Sequence, residues 1–230
     1  MNLSSQDIRW IFTYVFVLLI SVALHEFGHA IMADKLGDDT PRRQGRVTLN
    51  PLAHADPIGT LLLPLIGSIY GAASGHGGGF GWGKPVQWQP HRISRRWSMS
   101  TAKILVAIAG PGMNLLLGTV IIVVHVALTR QHAIDPFGKL SQVLHFASVT
   151  NYVLLFFNLL PVPPLDGGHV LQSFVPYRYR DQFESFARYA PFLVLAFMLI
   201  PQMQVVFVWP ATHLAEDLVY PGFAQLLGAT

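Results

Sequence analysis

Four stretches of this chain, roughly Ile11 to Ala33, Ile104 to Thr129, Leu140 to Leu165 and Tyr189 to Trp209, carry no Asp, Glu, Lys or Arg apart from a single glutamate. Each reaches the roughly 20 residues that a helix needs to cross a bilayer. A fifth apolar run, Ile58 to Ala73, is only 16 residues long and contains Gly59, Pro64, Gly67 and Gly71, so it reads as a short span or a re-entrant hairpin. The pattern predicts an all-α polytopic membrane protein with about four to six transmembrane or re-entrant helices.

Composition agrees. Hydrophobic residues make up 52% of the chain and charged residues 12%, and the mean hydropathy is +0.43. A soluble domain usually carries about twice that charge. The 230 residues are expected to form one membrane-embedded domain, with a core over about residues 8–175 and an additional span over about 189–210. The N-terminus lacks a basic region followed by a small-residue cleavage site, so the first apolar run reads as a retained span. With no cysteine present, disulfides and thiolate metal sites are excluded, and any transition metal falls to His, Asp or Glu. The net charge of +3 is small and dispersed, which argues against nucleic acid and for the lipid bilayer as the partner of the basic loops.

Loop charges bear on topology. If the fifth run re-enters, one side of the membrane holds 12 of the 15 basic residues and only Arg9, Arg130 and Lys139 lie opposite; if it crosses, the split is 9 against 6. The positive-inside bias favours re-entrance, with the richer side cytoplasmic. Between the spans, Arg46 to Leu49 and Phe80 to Trp88 have extended character, and Gly75 to Gly83 reads as a flexible loop leading into the second. Non-helical backbone at membrane depth must be paired or line a wet cavity. A small membrane-associated β-sheet bordering such a cavity is therefore expected.

The glutamate in the first apolar run belongs to His25-Glu26-Phe27-Gly28-His29. Histidines at i and i+4 project from one helix face and can share a tetrahedral zinc, with the intervening carboxylate beside them to take a proton from water. Ionisable groups near bilayer depth cost roughly 2.5 to 3.5 kcal/mol each on insertion scales, so three of them in one span argue for a site. Catalytic zinc usually takes three protein ligands. Asp166 is the best third candidate. It follows a long apolar span in Asn158-Leu-Leu-Pro161-Val-Pro163-Pro164-Leu165-Asp166-Gly167-Gly168, where the prolines break the helix and the glycines permit a tight turn. The competing reading makes Asp166 the N-cap of a helix beginning near Gly168.

These motifs closely resemble the site-2 protease family of intramembrane zinc metalloproteases. The resemblance rests on H-E-x-x-H at 25–29 and N-x-x-P-x-P-x-x-D-G at 158–167. It is strengthened by Ala-Gly-Pro-Gly-Met-Asn at 109–114, Leu-Asn-Pro-Leu-Ala-His-Ala-Asp-Pro at 49–57 and Phe-Gly-Trp-Gly-Lys-Pro-Val at 80–86. It implies one Zn2+ per chain held by His25, His29 and Asp166, with Glu26 as general base. It also implies hydrolysis of peptide bonds in or near the transmembrane segments of membrane-protein substrates, in a bacterial cytoplasmic membrane; the loop charges put the site toward the cytoplasmic face. The chain resembles a short form, without room for PDZ or CBS modules.

Asn158 would hold substrate backbone or the tetrahedral oxyanion, or else make an interhelical amide bond. His54 and Asp56 would line a water route or orient a ligand, or else be solvated loop residues. The Phe80 to Trp88 segment would pair with an unwound substrate or simply complete a sheet. His125 and His145 read as packing or interfacial groups, and Gly110, Pro111, Gly112 and Asn114 as helix-packing residues. Two other functions remain open on sequence alone: a catalytically silent adaptor that binds client helices around a structural metal, and a metal transporter. The intact Glu26 argues against the first, and the confinement of polar groups to one level argues against the second. Oligomeric state is not legible.

Overall fold

The computed structural model describes residues 4–74 and 81–227. The chain divides into two compact units, Met1–Trp97 and Ser98–Thr230.

The first unit is built on α1, Ser5–Lys35. It opens with a capping box: the Ser4 hydroxyl accepts from the Asp7 amide, and the Asp7 carboxylate accepts from the Ser4 amide. Such reciprocal bonds satisfy two amides that the first helical turn leaves without partners. After α1, Gly37 takes φ +114°, a left-handed conformation suited to glycine, and the chain turns into α2, Thr40–Arg43. Ion pairs brace this corner. Arg42 is bidentate on Asp34, and Asp39 receives both Arg43 and Arg92. The Asp39 carboxyl is held below the usual carboxylate range, first by the Arg43 hydrogen bond and also by Arg92.

A 3-10 turn at Pro51–Ala53 precedes a π-helical turn, Pro57–Leu62, which runs into α3, Leu63–Ser74. Together they form a short apolar helix packed on α1. The extended segment that follows does not build a β-sheet, which corrects the expectation from sequence. No strand occurs among the described residues, and Gly75 to Phe80 lie outside them. The physical reason is where the amides go. Trp82 N–H donates to the Gly59 carbonyl and Lys84 N–H to that of His54, both at helix or turn ends, while Pro85 has no N–H to offer. The 46–49 stretch likewise has no strand partner among the described residues; the Arg46 amide bonds the Pro41 carbonyl.

The second unit begins with α4, Met99–Arg130, capped by Ser98, and α5, Lys139–Asn158. Asn114 Nδ2 donates to Asn151 Oδ1 at 3.0 Å, and both side chains are fully buried. Gly118 lies against the Tyr152 ring, whereas no described residue comes near the place a Gly112 Cβ would take, so glycine is not needed there for packing against them. The α5 helix stops at Asn158 rather than continuing to Leu165. Pro161, Pro163 and Pro164 cannot continue a helical hydrogen-bond ladder. A short α6, Asp166–Phe174, follows and packs on α4.

The expected 189–209 span is instead two helices, α7, Arg180–Leu199, and α8, Pro201–Thr212, bent by 78°. The break falls at Ile200, driven to φ −99°, ψ 109° by the proline after it. A π-helical turn at His213–Val219 and α9, Tyr220–Leu226, close the unit. Ile122, Tyr152, Leu155, Ala211 and Ala215 form its core. His125 bonds the Tyr220 hydroxyl at 2.8 Å and Ser141 Oγ at 2.5 Å, and His145 stacks on Tyr220, so both histidines serve packing. By length and composition α1, α4 and α5 are able to cross a membrane, and the bent α7 and α8 pair would make a fourth span.

Candidate metal and active site

In the first unit, α1 sets His25 and His29 one turn apart. Their Nε2 atoms lie 3.0 Å from each other, with rings edge-on at 82°. Tetrahedral zinc with Zn–N near 2.0–2.1 Å puts two ligating nitrogens about 3.3 Å apart, so the pair is close to the required spacing. His25 is buried, 7% exposed. Two converging imidazole nitrogens on a helix in an apolar span suit a zinc ion.

Glu26 lies between them and is engaged from outside the helix. The Val86 amide donates to its Oε2 at 3.1 Å. Gly83 also presses on this side chain: a Cβ there would sit 2.6 Å from Val22 Cγ1 and 3.0 Å from Glu26 Cγ. The sequence carries no signal for the Val86 contact, because it is made by backbone.

His54 is 1% exposed, and its Nε2 donates to the Thr48 carbonyl at 2.9 Å, which leaves Nδ1 buried without a hydrogen-bond partner among the described residues. Its own carbonyl receives Lys84. His54 is therefore a buried organiser of the 46–54 loop and not a solvated residue. Asp56 is an N-cap: Oδ1 accepts from the amides of Ile58 at 3.0 Å and Gly59 at 2.7 Å.

In the second unit, Asp166 is the first residue of α6, and Leu165 is the N-cap. The two glycines after it are helical, not left-handed, so the expected tight turn is not their reason. They allow close approach instead. A Cβ on Gly167 would run into the carbonyl oxygens of Leu159 and Leu160, and one on Gly168 into the Val162–Pro163 backbone. This contact fixes Asp166 against the end of α5. Asn158 Nδ2 donates to the Leu154 carbonyl of its own helix at 2.9 Å, so that bond is not an interhelical one.

Comparison with known proteins decides the family. The model of "Peptidase family M50" matches residues 126–201. A Bacillus subtilis (strain 168) protein named "Putative zinc metalloprotease YwhC" is 33% identical over 218 residues, covering 92% of this chain and 91% of that protein. The chain belongs to peptidase family M50. The resemblance to the site-2 proteases is thus borne out, and this M50 peptidase is an integral membrane protein with α1, α4 and α5 as candidate spans. The matched family region includes 158–167 but not the 25–29 motif; an alignment covering 92% of the chain takes in both. "Putative zinc metalloprotease Rip2" of Mycolicibacterium smegmatis (strain ATCC 700084 / mc(2)155) is 36% identical over 69% of the chain and 57% of that protein. Its namesake in Mycobacterium tuberculosis (strain ATCC 25618 / H37Rv) is 29% identical over 80% and 66%. No solved structure shows a significant match.

Proposed function

We propose that this M50 peptidase is an intramembrane zinc endopeptidase that cuts membrane-protein substrates in or near their transmembrane segments. One zinc ion would be held by His25, His29 and Asp166, the ligand set of a single metalloprotease domain. The observation that carries the reading is the His25 and His29 pair, converging on one point within an apolar span and flanking a carboxylate. The names of the relatives support zinc.

Zinc, when bound, supplies Lewis acidity to a scissile carbonyl and lowers the pKa of water toward about 7. Glu26 takes the water proton and passes it to the leaving amine, as a general base must when the leaving group departs as a neutral amine. Asn158 contributes its amide to substrate backbone or oxyanion. The 81–89 segment, extended but unpaired as a ladder, offers a backbone edge to a substrate unwound from its helix. The basic loops face the cytoplasm, which puts the site toward that side of a bacterial cell membrane.

Zinc content and cleavage of a model transmembrane substrate by wild type and Glu26→Gln test the reading. Retained zinc with lost cleavage is expected. Equal cleavage by both proteins overturns it, and client binding without cleavage by wild type would indicate the silent adaptor.

A further inference from the structure

The segment 81–89 is a strap pinned along its length. At one end Trp82 N–H bonds the Gly59 carbonyl at 3.0 Å and the Thr60 hydroxyl donates to the Trp82 carbonyl at 2.7 Å. At the other, the Gln89 amide donates to the buried Asp38 carboxylate, which also holds the Thr40 amide and hydroxyl. In the middle Lys84 N–H meets the His54 carbonyl at 2.9 Å. Alternation along extended backbone turns the amides of residues 82, 84 and 86 to one side. The first two meet carbonyls. The third meets Glu26 Oε2.

We propose that the backbone amide of Val86 is the positioning group for Glu26, an inference that rests on Glu26 acting as general base. A glutamate side chain has several rotatable bonds, and ordering it takes up rotamer entropy that a fixed donor meets in advance. The Val86 N–H captures Oε2 and leaves the second oxygen to receive the proton. Gly83 completes the device. Its missing Cβ, which would stand 3.2 Å from Oε1, keeps that oxygen uncovered. His54 and Asp56 act at one remove: His54 anchors Lys84, and Asp56 caps the helix whose Gly59 and Thr60 anchor Trp82. Their part is to hold the strap in register, so that residue 86 stands opposite residue 26.

The test uses the full chain in detergent or nanodiscs, with a model transmembrane substrate. Three forms are compared: Val86→Pro, which removes the N–H; an ester at position 86 made with the α-hydroxy analogue of valine, which removes only the N–H; and Val86→Ala, which keeps it. Losing a hydrogen bond to a charged group predicts a fall in kcat on the order of tenfold for the proline and ester forms, with KM and zinc content unchanged and the rate retained by Val86→Ala. In a Glu26→Asp background, whose shorter side chain does not reach the amide, Val86→Pro has no further effect. Amide exchange gives a readout independent of turnover. Glu26→Ala speeds exchange at Val86 and leaves Lys84 protected. Wild-type kcat in the ester form, or unchanged exchange at Val86 in Glu26→Ala, overturns the inference. If Glu26→Gln still cleaves, the general-base reading fails instead, and the exchange experiment still decides whether the contact exists.

Discussion

Nε2 of His25 and Nε2 of His29 face each other at 3.0 Å across one turn of α1. Two imidazole nitrogens this close are spaced to hold a hydrogen or a cation between them. Replacing His29 by Ala removes one of the two convergent donors on this helix. Zinc content, measured by atomic emission after purification, is expected to fall to background, with cleavage reduced more than about a hundredfold, the upper range for losing a mere supporting partner of a ligand. Chelation should abolish cleavage in wild type, and added zinc should restore it.

Gly167 and Gly168 let α6 approach the end of α5 where a side chain could not fit. Gly167→Ala should push α6 away, costing about 1–3 kcal/mol as overpacking does, and displace Asp166 with it. A lowered zinc affinity together with a lowered melting temperature is the expected outcome. A variant that melts earlier but binds zinc as wild type does would separate the two effects.

The buried Asn114 and Asn151 amides join α4 to α5. Interhelical polar contacts in membranes average about 0.6 kcal/mol and reach about 1.7. Asn114→Ala should destabilise the fold within that range. Adding Asn151→Ala should cost less than the sum of the single effects, because the partners share one contact. Unfolding in mixed micelles measures both.

Asp39 binds Arg43 and Arg92 and so tethers the 90–97 segment to the start of α2. Its folded pKa is depressed, first by the Arg43 hydrogen bond. The tether therefore contributes fully above the ordinary aspartate value of about 3.9 and is lost as pH falls through the lower folded value. Proteolysis near Arg95 should be unchanged between pH 7 and 5 and rise below about pH 4. Asp39→Asn should show the faster proteolysis at every pH.

Because the chain has no cysteine, Arg43→Cys and Arg95→Cys each create a unique label site. If residues 57–74 re-enter, both react with an impermeant maleimide from the same side of the membrane, the cytoplasmic one. Opposite labelling would show a full crossing.

The sequence by itself determined whatever depends on composition and on short-range periodicity. Uninterrupted apolar runs required α1, α4 and α5, because a helix satisfies its own backbone and needs only length and hydrophobicity. The i, i+4 spacing of His25 and His29 made their convergence a property of any helix there. Tertiary structure decided what depends on partners distant in the chain. The sheet expected around 46–49 and 80–88 did not form among the described residues, since the amides of Trp82 and Lys84 found carbonyls at helix and turn ends. Proline positions were visible, yet their consequence at Ile200 was a 78° bend, and no local rule distinguishes a kinked span from a broken one. Asp56 as a cap, His54 as a buried anchor and Val86 against Glu26 are contacts in which backbone groups take part, and backbone is the same at every residue. Residue identity could single out Glu26 as a candidate base; only the folded chain could say which amide stands opposite it.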